Sequence, residues 1–244
     1  SPLDAKEADG IGTMLETLQP KDRAQVIAGI SASVGPRMAG AIAEQIDKKD
    51  RALSLAFASS TSETTANRFT SELILKGATA IKDGAVMKDD KKVTGWKATI
   101  AQELSGVFPN AELERAAKDA AYYIAAGFAL EDGGSLSDKR LENAVRLAVD
   151  GSIIERNGKK LPIPAGMDES GFDKRLKSIP ASDILKQAPD GKLRAGGAEI
   201  GAEDFHMKIA GQELIYAGPS RYAVVVQGRP VTNSQGRPII VTVR

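Results

Sequence analysis

Cysteine is absent from these 244 residues, and histidine occurs once, at His206. The first absence excludes disulfides, thiolate metal sites and cysteine nucleophiles together. The second leaves metal binding or Ser/His catalysis to a single imidazole. His206 sits in "DFHM", at the expected start of a strand, and is read as a surface residue. Aromatics are scarce, with one Trp and four Tyr, so stacking platforms for sugars or bases are few. No apolar run approaches the roughly 18 residues of a membrane span, and no secretory signal is present.

Catalytic motifs are missing as well. There is no G-x-S-x-G elbow, S-x-x-K, H-E-x-x-H or P-loop. "DGIG" at Asp9–Gly12 lacks a preceding strand and a third glycine, and "EDGG" at Glu131–Gly134 lacks the alternating oxygens of a calcium loop. The carboxylate pairs Glu131/Asp132, Asp168/Glu169 and Glu203/Asp204 are adjacent in sequence, whereas glycoside hydrolysis needs two acids facing each other across a cleft. The sequence nominates no catalytic, cofactor-binding or metal residue. The chain begins Ser1-Pro2 rather than with Met, which suggests a fragment of a longer protein behind a cleaved tag.

What is present is an ordinary globular composition, 42% hydrophobic and 27% charged, in which alanine and aliphatics favour closely packed helices. The net charge of +1 divides into −3 over residues 1–150 and +4 over residues 151–244. From Leu214 onward Arg221, Arg229, Arg237 and Arg244 occur without a single acid. Well-spaced arginines of this kind suit guarded sheet edges better than a dense phosphate-binding run.

Residues 5–150 read as helix almost throughout. "PKDRAQVIAGISASVG" carries Ala24, Ile27, Ile30 and Val34 on one stripe, and "GPRMAGAIAEQI" carries Met38, Ile42 and Ile46. Thr61 or Ser62 signals the start of a longer helix whose apolar face is Phe69, Leu73, Ile74, Gly77 and Ile81. A mixed-charge loop, Lys82–Lys92, leads to a helix bearing Trp96, Ile100 and Leu104. Asn110 is the expected cap of the best helix, and a further helix stops at Gly151.

The segment "GSIIERNGKKLPIPAGMDESGFDKRL" then changes the pattern. Asn157-Gly158 is a two-residue hairpin turn between Ile153-Ile154 and Leu161/Ile163. Asp168 reads as a helix cap, with Met167 and Phe172 as a hydrophobic staple. Beyond Pro189 the period falls towards 2, giving strands near Met207–Ala210, Leu214–Ala217, Tyr222–Gln227 and Ile239–Val243. The expected class is α+β: a mainly helical array of about eight to ten helices, a small hairpin, and a C-terminal antiparallel β unit. Residues 1–150 form the helical domain, 151–190 a hairpin-and-helix connector packed on it, and 191–244 the β subdomain. The candidate interaction surface comprises Arg221, Tyr222, Arg229 and Arg237 on the tail, with Lys88, Lys91 and Lys92 in the charged loop.

Three stretches carry a resemblance: "NRFTSELILKGATAI", "VDGSIIERNGKKLPIPAGMDESGFDKRL" and "SRYAVVVQGRPVTNSQGRPIIVTVR". In order, from Asn67 to Arg244, they resemble the C-terminal region of large tailed-phage and prophage virion proteins. These are tape-measure-like or internal ejection proteins, some with a peptidoglycan-cleaving transglycosylase region upstream. The resembling positions are Glu72–Gly77, Gly151–Gly158, Gly166–Phe172 and Tyr222–Pro238. A transglycosylase region is not recognisable here, so no catalytic residue is carried over. The resemblance implies a non-catalytic virion domain, made in the bacterial cytoplasm and packaged in the particle. In the ejection-protein version it is delivered with the genome. Its expected partners are other virion proteins or copies of itself. The alternatives are an accessory or targeting module of a phage peptidoglycan-degrading enzyme and a DNA-contacting domain using the basic C-terminal β tail.

Overall fold

Helix punctuation is local and easily traced. A computed structural model describes residues 5–47, 49–60, 65–86, 91–195 and 197–243. Pro20 opens helix α2 (Pro20–Val34) directly after α1 (Ala5–Glu16). The Arg23 guanidinium donates to the carbonyls of Glu16 at 3.2 Å and Leu18 at 3.1 Å, which covers acceptors that a helix end leaves open. Gly35, at φ 78°, ends α2, and α3 (Pro36–Asp47) follows at once. Asp50 caps α4 (Arg51–Ser60) by accepting the Leu53 N–H at 2.9 Å.

These helices belong to the first of two units, which contains Ser1–Leu104 and Arg115–Ala148. It also holds α5 (Thr65–Lys82), α6 (Lys91–Leu104), most of α7 (Ala111–Glu131) and α8 (Asp138–Ala148). Helix α4 is buried at every position from Ala52 to Phe57. Its seam with α2 and α5 is partly polar: the Ser31 and Ser60 hydroxyls lie 2.6 Å apart, those of Ser59 and Ser71 2.8 Å apart. Ser71 also donates to the Ala56 carbonyl at 3.0 Å. Pairing hydroxyls in this way removes the penalty of burying them singly.

Helices α5 and α7 touch backbone to backbone. A Cβ on Gly77 would stand 1.8 Å from the Tyr123 carbonyl oxygen, and one on Gly127 would stand 2.6 Å from that of Leu73. Glycine is therefore fixed here by approach, not by turn geometry. Residues Ile124–Ala129 are buried on all sides, as expected of a central helix.

The second unit comprises Ser105–Glu114 and Val149–Arg244. Strands β1 (Gly151–Arg156) and β2 (Lys159–Pro164) form the expected hairpin, with Asn157 at φ 53° and Gly158 at φ 72°. Asp168 caps α9 (Glu169–Lys177), accepting the Gly171 N–H at 2.7 Å. After α10 (Ala181–Leu185) come β3 (Lys192–Ala195), β4 (Ala198–Gly201) and α11 (Ala202–His206). The last strands are β5 (Glu213–Gly218), β6 (Arg221–Val226), β7 (Arg229–Pro230), β8 (Thr232–Asn233) and β9 (Ile240–Thr242). Sheet order is β4-β3-β8 in one sheet and β5-β6-β7 in another, with β9 also on β6.

One edge of β6 is thus shared by an interrupted strand. Val225 and Val226 pair with β7, whereas Arg221, Tyr222 and Ala223 pair with β9. The chain leaves at Val231, whose N–H reaches the Val224 carbonyl at 2.8 Å, lays β8 against β3, and returns at Ile239. Pro230 is tolerated because its side of the ladder requires no donor there.

Residues 151–190 are not a separate layer. Leu161, Ile163, Phe172, Leu176 and Ile184 share one apolar core with Leu193, Ile209, Tyr222 and Val241. A hairpin with one apolar face needs such a partner to persist.

Four expectations change. Met207–Ala210 is not a strand: α11 is followed by a 3-10 turn at Ile209–Gly211. Phe205 and Ile209 are buried while Met207 is 74% exposed, a fourfold rather than a twofold period. Gly151 does not stop α8. Asp150 takes the left-handed conformation at φ 52°. Gly151 is a strand residue whose absent Cβ makes room for the Ile163 carbonyl, at 1.7 Å. Three apolar stripe residues lie off the buried faces: Val34 of α2, Met38 of α3 and Phe69 of α5 are 41%, 42% and 46% exposed. The β3–β4 hairpin is additional. The Thr61/Ser62 cap lies outside the described residues.

Candidate interaction surface

Five of the nominated side chains are solvent-exposed in the structure and one is not. Arg221, Arg229 and Arg237 are exposed in the β-containing unit, and Lys91 and Lys92 are exposed in the first turn of α6 in the helical unit. Lys88 lies outside the described residues. Tyr222 is a correction: it is fully buried, and its hydroxyl donates to the Pro162 carbonyl at 2.9 Å. Its ring meets Phe172 edge-on at 5.1 Å and Tyr216 at 6.3 Å. Alternation along β6 explains the split, since Arg221 and Tyr222 point to opposite faces.

Arg221 and Arg229 do not form one patch. Arg229 pairs with Val226 at one end of β6 and Arg221 begins the other end, a separation of about 16 Å along the strand. Arg237 stands on the excursion between β8 and β9. That excursion is held by Asn233, only 7% exposed. Its Oδ1 accepts the N–H groups of Gln235 and Arg237, both at 3.0 Å, and its Nδ2 donates to the Gln187 carbonyl at 2.8 Å.

Gln187 in turn engages β9. Its Nε2 donates to the Ile240 carbonyl at 2.8 Å and its Oε1 accepts the Ile240 N–H at 2.9 Å. Asp190 is held by the Ser234 hydroxyl and the Lys192 N–H, and these bonds draw its carboxyl below the usual range. Together these residues bound a polar cleft of about 540 Å³ that Lys186 and Arg237 also line. Sequence reasoning missed Gln187 and Asn233. For Asn233 the signal was the repeated Gln-Gly-Arg-Pro at 227–230 and 235–238, the second copy following an Asn able to fold back on its own backbone.

Elsewhere the Glu131/Asp132 pair singled out by sequence meets basic partners. Glu131 accepts from Lys76 at 3.1 Å and lies 3.6 Å from Arg140, which also reaches Asp132 at 3.1 Å. His206 ends α11, half-buried. A second cleft, of about 630 Å³ in the helical unit, includes Arg23, Asp50, Arg51 and Tyr123. There Arg23 and Asp50 serve helix ends, and Arg51 pairs with Asp119 at 3.0 Å. Among the described residues no group of three or more His, Asp or Glu is placed to hold a metal ion. No helix among them is long and apolar enough to cross a membrane.

Asp150 gives a pH-dependent prediction. Burial raises its carboxyl above the ordinary 3.8, so the charged form costs stability above the raised value. That cost fades as pH falls and is gone below the unfolded carboxyl range. Asp150→Asn is expected to raise the thermal midpoint by a few degrees at neutral pH, since Asn also accepts the left-handed backbone. The gain should disappear in acid. Melting curves across pH check this, and a gain independent of pH would contradict it.

Compared with known proteins, the chain matches no family model, no curated protein and no solved structure.

Proposed function

We propose that this chain is a non-catalytic structural and interaction domain of a tailed-phage or prophage virion protein. Two things support the reading. The ordered resemblance from Asn67 to Arg244 points to that class. The observation that carries the interaction role is the use made of the polar residues around the β9 edge: Gln187 and Asn233 shape a presented surface instead of converging on a reacting bond. In this reading the domain is assembled into the particle, and its contacts are with other virion proteins or with further copies.

The test is binding of the purified chain to individually purified neighbouring virion proteins, with light scattering for self-association. Capture of at least one such protein, or a defined oligomer, is the expected result. Release of soluble muropeptides from purified peptidoglycan would favour the wall-acting alternative. DNA retention falling steeply with salt and lost in Arg221→Ala/Arg229→Ala would favour the DNA-contacting one.

A further inference from the structure

We infer that the outer edge of β9 is a strand-docking site for an extended acidic segment of a partner protein, and that Gln187 occupies it in the free chain. This deepens the interaction reading and rests on it.

The ladder sets which groups face outward. In an antiparallel pair, residues alternate between pointing both backbone groups at the neighbour and pointing both away. Val224 N–H reaches the Ile239 carbonyl at 3.2 Å, and Val243 N–H reaches that of Ser220 at 2.8 Å. Residues 239, 241 and 243 therefore face β6, and Ile240 and Thr242 turn their N–H and C=O groups outward. Two outward residues spaced two apart are what an incoming strand pairs with.

At Ile240 both outward groups are already satisfied by the amide of one side chain, Gln187. A glutamine amide carries the same donor and acceptor as a peptide unit, so it reproduces what a neighbouring strand would offer. Bare strand edges invite unplanned pairing, and proteins commonly blunt them. A side-chain amide does so reversibly, because releasing the edge takes a rotamer change and two partly buried hydrogen bonds that an incoming strand replaces.

Charge selects the occupant. Arg221 pairs across from Thr242. Arg237 and Lys186 line the cleft beside Gln187, where the acid is Asp190, already held by Ser234 and Lys192. Lys186 is also paired with Asp183, at 2.9 Å on the surface, and such a pair yields readily. A second copy would bring its own Arg221 and Arg237 to the same edge, so like charges disfavour self-pairing.

The experiment uses the whole chain and a synthetic peptide alternating Glu with Val, followed by backbone-amide exchange. In the free protein the Ile240 amide is expected to be protected and the Thr242 amide open. The peptide should protect Thr242. Gln187→Ala should bind it on the order of tenfold tighter, since two competing hydrogen bonds are gone. Thr242→Pro keeps every inward bond, removes the outward donor, and should lose binding on a similar scale; it serves if Gln187→Ala folds poorly. A peptide that leaves the Thr242 amide open, while virion proteins are still captured, overturns the edge assignment and spares the interaction reading. Self-association of Gln187→Ala through β9 overturns the acidic segment in favour of a second copy.

Discussion

Gly77→Ala is expected to destabilise the helical unit by about 3 kcal/mol or more, at or beyond the top of the range for overpacked cores. Most overpacking is relieved by a side chain changing rotamer. Here the obstacle is the backbone of another helix: the Tyr123 carbonyl oxygen at 1.8 Å, with the Gly127 nitrogen at 2.8 Å. Relief requires α5 and α7 to move apart, and that separation opens the packing of Leu73, Ile74, Ile124 and Phe128, each at most 3% exposed. The control is Gly29→Ala on α2, where an added Cβ meets nothing within 4 Å. It should be neutral or gain up to about 1 kcal/mol from helix propensity. Denaturant unfolding followed by circular dichroism compares the two. Equal midpoints would mean that the helices do not cross in backbone contact.

Tyr222→Ala should cost about 4 kcal/mol, in the range for truncating a large buried aromatic. Tyr222→Phe should cost about 1–2 kcal/mol, because the Pro162 carbonyl loses its donor. The side chain is fully buried, and burial pushes its phenol above the ordinary range. Its hydroxyl links β6 to β2, so it ties the hairpin to the sheet that carries β9. The ordering Ala, then Phe, then the native residue is the signature of a packed ring with one buried hydrogen bond. A Tyr222→Phe variant as stable as the native chain would show that the bond contributes nothing.

Tyr222 also marks where the sequence stops being legible. As a residue it sits beside Arg221 in a basic, tyrosine-containing stretch and invites a surface reading; only sheet pairing shows that it faces inward. Features governed by neighbours in sequence read well. Asn157-Gly158 demands positive φ at both turn positions, Asp168 and Asn110 accept N–H groups three residues on, and helix stripes place Ile27, Ile42 and Leu73 inward. Features set by distant partners did not. Gly77 looks like any small residue on an apolar face until α7 is laid against it. "FHMKI" has apolar residues at both twofold and fourfold spacing, and only the burial of Phe205 and Ile209 with Met207 outside decides between them. Gln187 carries no local signal, because its role depends on a strand 53 residues later.

The most direct test of the account is mass spectrometry of purified, nuclease-treated phage particles from a strain carrying this gene. If the chain is a virion domain, its peptides should copurify with the particle at a fixed stoichiometry to the capsid proteins. Their absence from intact particles, with the chain recovered only from the host cell fraction, would contradict it.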